Sequence, residues 1–136
     1  MRRSEQRRAA VIALYQHELT GRSLSETLGA DPSPFVCALA EAVLAREREL
    51  DGLIAAHSHG WALERINPLE RSIMRVALLE MLHPGDVPGD VPMPAEGAIE
   101  EAVRSAKTFC GSDAPAFING VLGAVLREVR ENAGKR

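Results

Sequence analysis

The sequence predicts an all-α helical bundle. Apolar residues recur at offsets of three and four through most of the chain, and no stretch alternates apolar and polar for long enough to make a strand. Proline, glycine and short polar residues also punctuate the chain where helices should start and stop. With 136 residues, 46% of them hydrophobic, one compact core suffices. A chain of this size buries roughly 68–70% of its unfolded surface, so a single domain over 1–136 is expected.

The first helix is expected over about residues 4 to 20, with Val11, Leu14, Tyr15 and Leu19 on one face and Gly21 as its stop. Ser23-Leu24-Ser25-Glu26 has the spacing of a capping box and predicts a short helical turn. Ser33 before Pro34 starts the next helix, since proline's missing N–H costs nothing at the first helical position. Phe35, Leu39, Ala42, Val43 and Leu50 continue its period, and a bend is expected near Asp51-Gly52.

Asn67-Pro68-Leu69-Glu70 is a second start signal, with Glu70 placed to reach back to the cap. The helix behind it is apolar on most sides, as a central hub would be. Gly85-Asp86-Val87-Pro88 and Gly89-Asp90-Val91-Pro92 form a tandem duplication, and residues 84–94 should be an exposed loop. Ile99, Ala102, Val103, Ala106 and Cys110 then share a helical face, its start weakened by Gly97. Ser112-Asp113-Ala114-Pro115 caps a last helix carrying Phe117, Val121, Leu122 and Val125, with Gly120 a point of close helix packing and 132–136 a frayed tail.

Several function classes fall away. Nothing approaches the roughly 20 apolar residues that span a bilayer, and the basic N-terminus lacks the apolar run of a secretion signal, so a cytoplasmic protein is expected. Cys37 and Cys110 stand apart from any metal-ligand spacing and read as small buried hydrophobes. His57 and His59 are two apart and would point to different sides of a helix. No catalytic residue, metal or cofactor is assigned. The net charge of −3 says nothing about local basic patches.

Read in order, Arg7-Arg8-Ala9 through Ala13-Leu14-Tyr15, Gly60-Trp61 through Glu64-Arg65-Ile66, and Leu69-Glu70-Arg71 through Met74-Arg75-Val76-Ala77 and Glu80 resemble the NusB family of bacterial transcription antitermination factors. Ala98 to Val103, Ala106-Lys107-Thr108-Phe109 and Phe117-Ile118-Asn119-Gly120-Val121-Leu122 extend the resemblance over nearly the whole chain. It implies two three-helix bundles sharing one core. It also implies a non-enzymatic adaptor that binds the boxA element of ribosomal RNA leader transcripts together with NusE, a ribosomal protein, in the RNA polymerase antitermination complex. The duplicated loop is longer than the family's usual connection, and Glu100 stands where asparagine is common.

Arg2, Arg3, Arg7 and Arg8 lie at the start of the first helix, where the helix dipole disfavours cations by about 0.3–1 kcal/mol each. Stability does not explain them, whereas arginine pairs bidentately with phosphate and single-stranded RNA is its natural target here. Four phosphate contacts would give log K against log salt a slope of about −3. Phe117, taken alone, reads as core, but the resemblance places it in RNA contact. Asp113 is an N-cap that the resemblance also sets on the RNA surface, and Tyr15 and Glu70 match positions connected with NusE binding. Trp61 is expected to plug the junction of the two bundles, with exposure at a binding surface as the alternative, and Arg65, Arg71 and Arg75 to be mixed surface and ion-pair residues. Two other readings stay open: a protein-interaction module whose apolar face is taken by a second copy, as a homodimer, or by another factor, and an accessory domain for an RNA-modifying enzyme such as a methyltransferase.

Overall fold

The computed structural model describes residues 2–89 and 92–134. Its helices are α1 (Arg3–Thr20), α2 (Leu24–Leu28), α3 (Pro34–Ala45), α4 (Glu47–His57), α5 (Pro68–Leu82), α6 (Ala95–Phe109) and α7 (Ala114–Gly134), and no strand occurs among the described residues. Short 3₁₀ turns at Leu63–Arg65 and Pro84–Asp86 flank α5.

The start and stop signals act as the sequence suggests. Gly21 adopts φ 73° and closes α1, its N–H donating to the His17 carbonyl. The Ser23 and Ser33 hydroxyls accept from the Glu26 and Val36 amides, and Asn67 Oδ1 accepts from Leu69 N at 2.8 Å. Asn67 therefore caps α5 by itself, with no bond from Glu70 back to it.

Helix α5 is the hub. Every residue from Arg71 to Glu80 is buried, because α1, α3, α4, α6 and α7 all pack against it. Helices α1, α2 and α3 form one lobe and α4, α6 and α7 the second. One continuous core runs through both, from Leu14 and Leu39 through Met74 and Leu78 to Ile118 and Leu122.

The hub also carries charge into the interior. Arg75 Nε and Nη2 donate to the two Asp51 carboxylate oxygens at 2.6 and 3.0 Å, and its Nη1 donates to Glu18 at 3.2 Å. Arg71 bonds Glu18 and the Leu63 carbonyl, both at 2.7 Å. These two arginines thus tie α1 and α4 to α5, while Arg65 stays exposed and outside the network.

Three local expectations are corrected. The break after α3 falls at Arg46, not at Asp51-Gly52; α4 runs through Gly52, and Asp51 is engaged by Arg75. Gly120 is exposed with open space where a Cβ would sit, so no helix packs closely there. Cys37 and Cys110 are half-buried free thiols. Most described residues of the segment after α5 are exposed, as expected, though it begins with a 3₁₀ turn whose Asp86 accepts from Arg46 Nε at 2.7 Å and is followed by Val87, half-buried against the core. The helical hydrogen bonding of α7 continues to Gly134; Asp90 and Val91 of the second repeat and the last two residues of the tail lie outside the described residues.

Candidate nucleic-acid interface

The predicted residues gather in two places at opposite ends of α5. Glu70 and Glu80 are ten residues apart, roughly 15 Å along a helix axis. Glu80 meets the start of α1 through Arg7, whereas Glu70 faces a groove with Phe117 and Asp113.

At the first end, Arg2 is the N-cap of α1 and Arg3 its first residue, but Arg7 and Arg8 sit one turn further in. Their roles divide accordingly. Arg2 is exposed and makes a 3.3 Å contact with Glu5, and Arg3 holds its guanidinium 3.9 Å from the centre of the Phe35 ring. Arg7 instead donates Nε to both Glu80 oxygens at 2.9 and 3.0 Å, with the two side chains only 14% and 7% exposed. Arg7 is committed to structure. Burial pushes the Glu80 carboxyl above the usual carboxylate range, outweighing Arg7, which pulls it down. Arg8 is half-buried, and its Nε has no partner among the described residues.

The second end is an open groove of about 540 Å³ lined by Trp61, Arg65, Asn67, Glu70, Asp113 and Phe117. It lies where the chain enters α5 and α7, so the starts of two helices border it. Each contributes partial positive charge, and Arg65 adds a full one, against the carboxylates of Glu70 and Asp113. Phe117 is half-buried, packed against the core and also lining the groove. Asp113 caps α7 only through its carbonyl, which accepts from Phe117 N at 3.2 Å; its side chain makes no bond to a described residue. Burial raises the Glu70 carboxyl, and burial together with the nearby Glu70 charge raises the Cys110 thiol, which works against a reactive thiolate.

Tyr15 is half-buried one turn before Glu18, and the Glu18–Arg71 bond brings that part of α1 to the Glu70 end of α5. The two residues matched to a protein partner are therefore at one end of the molecule, and Glu70 shares its groove with two matched to RNA.

Trp61 departs most from expectation. It is 56% exposed at the groove rim rather than lodged between the lobes. The sequence holds a signal for this in retrospect: His59-Gly60 make a left-handed turn at φ 45° and 86°, which throws Trp61 outward. Arg65, which sequence reasoning left as a generic surface cation, joins it there. No group of three or more histidines, cysteines and carboxylates converges as a metal site among the described residues.

Fold and site together define an all-helical, two-lobed domain whose distinguishing features are a basic helix start and an aromatic groove. The family model for the NusB family matches residues 4–127, and the chain belongs to that family. It is 36% identical to the transcription antitermination protein NusB of Halalkalibacterium halodurans over 93% of this chain and 94% of that protein. Among solved structures, T. maritima NusB superposes with a TM-score of 0.80 at 26% identity, covering 94% of this chain and 92% of that one. A chain from the crystal structure of antitermination factors NusB and NusE in complex with dsRNA shares the fold, with a TM-score of 0.74 at 21% identity over 94% of this chain and 99% of that one.

Proposed function

We propose that this protein is a non-enzymatic RNA-binding adaptor in transcription antitermination, joining the boxA element of ribosomal RNA leader transcripts to NusE and through it to RNA polymerase in the cytoplasm. The observation that carries the reading is the groove that brings Phe117 and Asp113 together beside Glu70 in a chain of the NusB family. The relative solved with NusE and dsRNA supports it, as does the basic start of α1. Arg2, Arg3 and Arg8 supply phosphate affinity, while Arg7 holds Glu80 and shapes the surface from below.

This division changes the expected salt dependence. Three phosphate contacts on a single strand give log K against log salt a slope of about −2, where four would give about −3. Titrating boxA RNA and a scrambled control at several salt concentrations tests the reading. Preference for boxA with a slope near −2 is the expected result; equal weak binding to both RNAs would contradict it.

A further inference from the structure

We propose that Trp61 is a nucleobase-stacking residue, lining with Phe117 a pocket for one unpaired RNA base. The proposal rests on the RNA-binding reading above and adds a residue and a ligand geometry to it.

Rigidity is the first ground. An exposed tryptophan on a loose loop would be unremarkable, but this one is held from several directions. Ser58 is buried and donates Oγ to the Trp61 carbonyl at 3.0 Å, while Trp61 N donates to the Ser58 carbonyl at 3.2 Å. Two residues on, the Leu63 carbonyl accepts from the buried Arg71 guanidinium, and Ile66 is anchored in the core. His59 adopts φ 45° to complete the turn, a left-handed conformation unfavourable for any residue with a Cβ. The fold thus spends strain and two buried polar groups on presenting an indole to solvent. Fixing the backbone that carries the ring lowers the entropy cost of stacking a ligand on it.

The groove chemistry is the second ground. Asp113 and Arg65 have side chains with no bond or ion pair to another described residue. Together with Asn67 and Ser112 they surround the aromatic surface with donors and acceptors suited to the edge of a base. Arg65 and the starts of α5 and α7 place positive charge where the attached phosphates would run. A single flat base fits this open pocket of about 540 Å³, and every base offers a face for stacking.

The protein contains one tryptophan, so its fluorescence reports this position alone. The test is to titrate the full chain with boxA RNA while following Trp61 emission, and in parallel the anisotropy of the same RNA carrying a fluorescent label. Quenching that saturates with the anisotropy is expected. Trp61→Ala should weaken RNA binding roughly fivefold or more, and Trp61→Phe should restore most of it, since stacking survives without the indole N–H. Thermal unfolding of Trp61→Ala checks that the fold persists, as the residue's exposure implies. Anisotropy that rises while Trp61 emission and the Trp61→Ala affinity stay unchanged would overturn the proposal and leave the RNA-binding reading intact. Absence of RNA binding by the unaltered protein would overturn both. Emission that responds to NusE and not to RNA would overturn it too, assigning the groove to a protein partner.

Discussion

Arg7 and Glu80 show how a residue's type can be legible and its role not. The sequence presents four arginines alike, and only packing separates Arg7, half-buried against a carboxylate, from its exposed neighbours Arg2 and Arg3. Nothing in local spacing announces a partner 73 positions away. The pairing has a pH signature. Because burial leaves the folded-state value of Glu80 above its unfolded one, the folded protein favours the protonated carboxyl. Its contribution is therefore fully present below the unfolded value and lost as pH rises through the folded one. Comparing the native protein with Glu80→Gln by chemical denaturation from pH 4 upward, we expect the native protein to lose stability relative to the variant as pH rises across and just above the carboxylate range. A constant difference between the two would contradict this. Trp61 makes the same point from the other side: its size argues for burial, and the His59-Gly60 turn decides for exposure.

Among the elements, boundaries set by local chemistry were legible and the one set by tertiary contacts was not. Gly21, Ser33-Pro34 and Asn67-Pro68 act through their own backbone and side chains, so their positions follow from sequence. The break between α3 and α4 has no proline or glycine. It falls at Arg46, whose side chain reaches Asp86 and Glu49, contacts invisible to a reading of neighbours. Asp51-Gly52 looked like a turn, yet Asp51 faces Arg75 and Gly52 lies in an exposed helical position with open space at its Cβ. Gly52→Ala should accordingly stabilise the protein by about 0.5–1 kcal/mol, read as a raised thermal midpoint. A bend at Gly52 would instead make the same change destabilising.

For the whole molecule, the all-α class and the hub role of α5 were open to the sequence, because a helix apolar on most sides must be packed on most sides. The grouping of the remaining helices into lobes was not; it depends on which faces meet across α5. The hub carries a basic end beside Glu80 and an aromatic groove beside Glu70 on one helix, and the groove itself holds both Glu70 and Phe117. The residues contributing to the groove come from the turn before α5, from α5 itself and from the start of α7, a gathering that only the completed fold produces.

The central claim is that this domain joins RNA to a partner protein, and the most direct measurement is the boxA affinity of the purified protein with and without NusE. Positive coupling is expected: NusE tightens RNA binding, boxA tightens NusE binding by the same factor, and one complex containing all three components forms. RNA affinity unchanged by saturating NusE, or competition between the two ligands, would contradict the account.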